Sequence, residues 1–202
     1  MEQTLALTLE EKHEMILAAE RRKAYALARE LIQKPEASVW MILIPILFIH
    51  HAFNIQRYKK SIHGFAENYI KTRQKALELA FYSMKEEKGI AINLENCFPS
   101  VEMHEEKEVR LCEKQLEEIR LFFHHYKLLM EARGKSYETM VRAAYGEAGR
   151  LKAFYNALEK AEKEVIRYVN RSFQTSEAAL DVTKRMQKIV SGIRDKEVKE
   201  IF

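Results

Sequence analysis

Apolar residues recur every three or four positions near the start of the chain. Ile16, Leu17, Ala24, Leu27, Ala28 and Leu31 fall on one helical face. Just before them, Thr8-Leu9-Glu10-Glu11 matches a capping box, in which a hydroxyl and a carboxylate satisfy each other's free N–H groups. Pro35 is expected to end this first helix, because it pushes Lys34 out of the α region. A second helix restarts at Ser38 and meets no firm stop before Gly89, with Ser61 and Gly64 as places to bend. If continuous, it would extend about 75 Å. The stretch from Ile90 to Ser100 holds Asn93, Asn96, Pro99 and Ser100 and reads as a loop.

Ser100 is expected to cap a third helix that runs to Gly134, a C-terminal glycine stop. Ser136 opens a fourth helix that continues to about Ser172. Thr175 or Ser176 caps a fifth that runs toward Lys199. Consecutive long helices with short connections pack antiparallel. The expected fold is therefore all-α: an antiparallel bundle of about five mostly long helices, coiled-coil-like in its packing. It forms one domain over residues 1–202. Within the fourth helix, Ala143, Gly146, Gly149, Ala153 and Ala157 make a stripe of small residues. Such a stripe suits tight helix packing, with a dimer contact as the alternative.

One stretch breaks the amphipathic pattern. Val39-Trp40-Met41-Ile42-Leu43-Ile44-Pro45-Ile46-Leu47-Phe48-Ile49 carries no charge and no hydroxyl, and is apolar on every side of a helix. The uncharged window from Ala37 to Gln56 reaches the roughly 20 residues a helix needs to span a bilayer, but its strictly apolar part is too short. Trp40 on one flank and Arg57, Tyr58, Lys59 and Lys60 on the other resemble interfacial anchors. Arg22, Lys23, Arg29 and Lys34 precede the stretch as Arg57, Lys59, Lys60 and Lys71 follow it. That balance gives a span no orientation and suits two flanks on the same side. Pro45 would then break a short re-entrant hairpin. Segment 38–56 is thus a membrane or interface element, with Trp40, Ile44, Pro45, Leu47, Phe48, His50, His51, Arg57, Lys59 and Lys60 as its contact residues. His50 and His51 would sit at its polar boundary. Residues 57–202 form the charged helical region.

Composition supports the fold and narrows the function. With 6 Gly and 3 Pro in 202 residues, breakers are too few for a β-sandwich or barrel. No glycine-rich dinucleotide or phosphate-binding motif occurs. The 34 basic and 30 acidic residues nearly balance, which argues against a nucleic-acid partner. Cys97, in the expected loop, and Cys112, in a helix, read as free thiols of a reducing compartment. The charged first thirty residues do not look like a signal peptide, so a cytoplasmic location at the inner face of a membrane is expected.

Candidate chemistry is sparse. Glu10 and His13 make a single E-x-x-H, where di-iron bundles use two. A hairpin turning near residue 94 pairs second- and third-helix residues whose numbers sum to about 189, which sets His124 and His125 opposite His63. A turn near residue 36 sets His13 one helical turn away. His13, His63, His124 and His125 would then share a layer able to take iron, zinc or haem. The plainer reading is partly exposed histidines that share a level, and no cofactor is expected. Glu102, Glu105, Glu106, Glu108, Glu113, Glu117 and Glu118 read as one solvated helix face. The functional expectation is a non-enzymatic, membrane-associated helical scaffold or adaptor that binds lipid or a partner protein and forms a homo-oligomer. The alternative is a soluble oligomeric bundle holding a metal or haem through histidines.

Overall fold

The computed structural model describes residues 7–32, 62–99, 105–173 and 175–202. The whole apolar segment lies outside them. So do Trp40, Ile44, Pro45, Leu47, Phe48, His50, His51, Arg57, Lys59 and Lys60, and the expected helix signals Pro35, Ser38, Ser61 and Ser100. Among the described residues there are seven helices and no strand: α1 (Leu9–Ile32), α2 (Ile62–Lys85), α3 (Leu94–Cys97), α4 (Glu106–Glu131), α5 (Tyr137–Tyr145), α6 (Ala148–Ser172) and α7 (Glu177–Ile201). The fold is all-α, a packed bundle of five long helices and two short ones.

Local chemistry sets most of the helix ends. The Thr8 hydroxyl accepts from the Glu11 amide at 3.1 Å, and the Thr8 amide donates to the Glu11 carboxylate at 2.7 Å. Ser136 caps α5 by accepting from the Thr139 amide at 3.2 Å, and Ser176 caps α7 by accepting from the Ala179 amide at 3.3 Å. These are the expected caps. The expected fourth helix is divided. Gly146 adopts φ 72°, so the chain turns there between α5 and α6. The small-residue stripe therefore does not lie on one helix, and Ala143, Gly149, Ala153 and Ala157 are exposed rather than packed.

Gly134 has a steric duty. A Cβ there would lie 2.7 Å from the Met140 amide nitrogen and 2.9 Å from the Met140 Cγ, so the α4–α5 turn closes only around a glycine. Gly134→Ala is expected to lower stability by about 1–2 kcal/mol through overpacking, read as a lower urea midpoint.

The direction of the helices follows from side-chain pairs. Glu10 meets Lys85 at 3.1 Å, His13 packs against Phe81, and Tyr25 bonds His63, so α1 and α2 are antiparallel. Lys12 donates to the Met130 and Ala132 carbonyls at 2.7 and 2.8 Å, which places the end of α4 beside the start of α1. The end of α2 lies there too. α2 and α4 are therefore parallel, which corrects the expected hairpin.

The reason is the connection between them. Twenty residues separate Lys85 at the end of α2 from Glu106 at the start of α4, and 86–99 form no tight turn between them. Residues 86–99 return along the bundle, where Cys97 and Phe98 enter the core and the Ile92 carbonyl accepts from Arg120 at 3.3 Å. About twenty residues can reach roughly 66 Å when extended, well beyond the roughly 36 Å length of α2. The pairs Phe122–Phe154 and Lys107–Tyr168 run α6 antiparallel to α4. Arg194–Glu162 and Lys23–Glu197 run α7 antiparallel to α6 and α1. The core is one apolar cluster whose fully buried members include Ile16, Leu27, Ile70, Leu77, Leu111, Ile119, Leu129, Met140, Leu151 and Leu158.

Candidate functional site

Each long helix has an apolar stripe, and all five stripes are interrupted by charge, on α6 by Glu162 between Leu158 and Val165. Glu20 lies between Ile16 and Ala24 on α1. Arg73 lies between Ile70 and Leu77 on α2. On α4, Glu118 follows Gln115 and precedes Phe122, and Arg194 follows Val190 on α7. Helical spacing turns all of them inward. Glu118 is 7% exposed and Glu20 4%, so neither belongs to a solvated face. This corrects the expected Glu-rich surface at one position, while Glu105, Glu106, Glu113 and Glu117 are exposed as expected.

The charges form a ladder through the bundle. Lys23 pairs with Glu197 at 2.8 Å and Glu20 at 3.3 Å, and donates to the Tyr137 hydroxyl at 2.7 Å. Glu20 pairs with Arg73 at 3.4 Å, and Arg73 reaches Glu162 at 3.5 Å. Arg194 grips Glu162 with both terminal nitrogens, at 2.9 and 2.7 Å. Arg73 also donates to the Tyr69 hydroxyl at 2.7 Å and lies over the Tyr69 and Phe122 rings. Tyr155 closes one end by donating to Glu197. Such forked contacts fix guanidinium and carboxylate geometry together.

Protonation follows the neighbours. Burial favours a neutral Lys23, but Glu197 and Glu20 hold it well above its ordinary value. Burial would raise Glu197, yet Lys23 beside it keeps it below the usual carboxylate range. Glu118 is the exception. Burial and the nearby Glu162 push it up to about 7, against the opposing pull of Arg73 and Arg194.

Beside the ladder, between α4, α6 and α7, is a pocket of about 100 Å³. Glu118, Gln115, Arg73, Arg194 and Glu162 line its inner wall. Val165, Ile166, Val169, Met186 and Val190 make its sides, and the exposed Ser191 also lines it. Neither cysteine lines it. Both are buried free thiols, and burial raises Cys97 and pushes Cys112 up to about 11. Buried thiols of that kind are poor nucleophiles at neutral pH. Cys97 ends the short α3 rather than lying in an open loop.

The histidines do not share a layer. His13 packs on Phe81, with its Nδ1 3.4 Å from Glu14. His63 lies beside Tyr25, twelve residues or about 18 Å further along α1. His124 and His125 sit in the later half of α4, which runs parallel to α2, so they are far from His63 at the α2 start. His124 is exposed. His125 is buried in an aromatic box, with Nδ1 2.6 Å from the Tyr145 hydroxyl and its ring stacked 4.3 Å from Phe154. Burial, with Lys23 nearby, pushes it down to about 3, so its imidazole is neutral. The expected shared level depended on a turn near residue 36 and a tight turn near residue 94, and the helices adopt neither register. Among the described residues no group of three or more His, Cys, Asp or Glu side chains is placed to hold a metal ion.

The residues missed from sequence are Glu20, Arg73, Gln115, Glu118, Glu162, Arg194 and Glu197. Their signal was position: each polar residue occupies an apolar slot of its own helix. The chain matches no protein-family model, no curated protein and no solved structure at a significant level.

Proposed function

We propose that this protein is a non-enzymatic, membrane-associated helical scaffold or adaptor at the cytoplasmic face of a membrane. The observation that supports it is the shared position of two chain ends. α1 finishes at Ile32 and α2 begins at Ile62, and because the two helices are antiparallel both residues lie at the same end of the bundle. The sequence between them contains the uncharged stretch 39–55. A segment that leaves and re-enters one end of a bundle suits a bilayer met from a single side. It also explains why its cationic flanks are balanced.

In this reading Trp40, Ile44, Pro45, Leu47 and Phe48 enter the lipid boundary, with His50 and His51 at its edge. Arg57, Lys59 and Lys60 meet anionic headgroups, each worth about 1 kcal/mol. Among the described residues no helix is long and apolar enough to cross a membrane, so lipid contact rests on 39–55. The charged outer faces of α4, α6 and α7 serve a partner protein or a second copy of the chain.

The test is sedimentation of the full chain with vesicles of three parts phosphatidylcholine and one part phosphatidylglycerol. Wild type is expected in the vesicle pellet, and the double variant Ile44→Glu/Leu47→Glu in the supernatant with an unchanged melting temperature. A wild-type chain that stays in the supernatant without detergent would overturn the reading.

A further inference from the structure

Gln115 and Glu118 lie three residues apart on α4, on one face, and both line the pocket between α4, α6 and α7. Gln115 is 1% exposed, and its carboxamide oxygen has no hydrogen-bond partner. Glu118, 7% exposed, makes no hydrogen bond or close ion pair among the described residues. Native proteins seldom leave a buried carboxamide oxygen such as that of Gln115 unmatched, least of all beside an unpaired carboxyl. The other polar groups nearby are already committed. Arg194 is held by Glu162, and Arg73 by Glu20, Glu162 and Tyr69.

The charge count gives the sign of the missing partner. The enclosed cations are Lys23, Arg73 and Arg194. The enclosed carboxylates are Glu20, Glu118, Glu162 and Glu197. With Glu118 ionised the cluster is one positive charge short. Glu159, at the pocket edge, pairs with Lys163. An anion would meet arginines already neutralised. A divalent ion would want three or more good ligands, and no such group is present among the described residues. The aliphatic wall of Val165, Val169, Met186 and Val190 asks for an apolar body behind the charge.

We propose that this pocket binds a small organic cation, a primary alkylammonium ion. Its head donates to the Glu118 carboxylate and the Gln115 carboxamide oxygen, and its chain lies against Val165, Val169, Met186 and Val190. A volume of about 100 Å³ fits a chain of a few carbons, since a dry cavity of about 150 Å³ takes benzene. Binding requires the ionised form of Glu118. The groups that face Glu118 are Tyr69 and Arg73 from α2, Glu159 and Glu162 from α6, and Arg194 from α7. Of these, Glu162 opposes ionisation and the two arginines favour it, and the Glu118 carboxyl titrates near 7. Affinity therefore rises as pH rises through neutrality, and a proton leaves on binding below it.

The experiment is titration calorimetry of the full chain with n-butylammonium chloride at constant ionic strength, at pH 6 and pH 8. n-Butanol and butyrate serve as neutral and anionic isosteres. Saturable binding of butylammonium is expected at pH 8, about tenfold weaker at pH 6, with neither isostere binding comparably. Glu118→Gln is expected to abolish the binding and its pH dependence while the protein still melts cooperatively. Butylammonium binding no tighter than butanol, equal affinity at the two pH values, or full affinity in Glu118→Gln would each overturn the proposal. The wild-type comparison stands even where a variant folds poorly.

Discussion

Glu162→Gln is expected to destabilise the protein by about 3–5 kcal/mol, the range found when one partner of a buried ion pair is removed. In a chain of this size that is a fall of roughly 10 °C in melting temperature. Glu162 accepts from both terminal nitrogens of Arg194, at 2.9 and 2.7 Å, and it also meets Arg73 at 3.5 Å. An amide keeps the shape but loses the charge, and one of its two bonds becomes a clash of N–H donors. Arg73 retains Glu20 and Tyr69, so most of the loss falls on Arg194, whose side chain is 11% exposed.

Two further variants make the cause visible. Glu162→Gln combined with Arg194→Met removes both charges, and is expected to be more stable than the sum of the single changes predicts. Glu162→Gln also frees Arg73 and Arg194 to favour an ionised Glu118, which offsets part of the loss. The double variant Glu118→Gln/Glu162→Gln is therefore expected to be worse than Glu162→Gln alone. Denaturant unfolding of wild type, Glu162→Gln, Arg194→Met and the two double variants measures this. A loss below about 1 kcal/mol for Glu162→Gln would mean that Arg194 simply turns to water.

Glu118→Gln is expected to act in the opposite direction, and only at the right pH. The carboxyl titrates near 7 in the fold and near its ordinary 4.5 in the unfolded chain. Between those values the folded protein holds a proton that the unfolded chain has released. Stability therefore falls as pH rises from 4.5 to 7, and the full cost persists above 7. A glutamine mimics the protonated form and avoids that cost. The variant should be about 3 kcal/mol more stable than wild type at pH 8 and equal to it near pH 4.

His125 supplies an internal reference. It titrates near 3 in the fold against an ordinary 6.5, so its contribution is lost as pH falls from 6.5 toward 3. From 4.5 to 6.5 the slopes of Glu118 and His125 oppose each other, and wild-type stability should be nearly flat. In Glu118→Gln only the histidine slope remains, so stability should climb with pH across that window. Urea midpoints at pH 4, 5, 6, 7 and 8 decide it, and parallel curves for the two proteins would refute the assignment.

What was readable in advance followed from short-range chemistry. The capping box at Thr8, the Ser136 and Ser176 caps and the inward face of α1 all depend on neighbours within four residues. The scarcity of glycine and proline argues against a β-sandwich or barrel for the same local reason. The polar residues in apolar slots were also visible. Glu118 sits three residues after Gln115 and four before Phe122, on the stripe of Leu111, Ile119 and Tyr126. It was grouped with the exposed glutamates because a charged residue is rarely buried unless paired. The partners that make its burial possible, Arg73 and Arg194, come from helices distant in sequence.

The amino-acid sequence by itself determined the helical class, the caps at Thr8, Ser136 and Ser176, and the inward face of α1, because each of these depends on contacts within about one turn. It also isolated 39–55 as the segment whose chemistry differs from the rest. Only the tertiary structure decided that α2 and α4 run parallel. That depended on residues 86–99 folding back along the bundle, with Cys97 and Phe98 finding core contacts that no local pattern specifies. The same parallel register separated His63 from His125 and brought Glu20, Arg73, Glu118, Glu162 and Arg194 together. Periodicity can say that a side chain points inward, whereas the helix it meets there depends on the path of the whole chain.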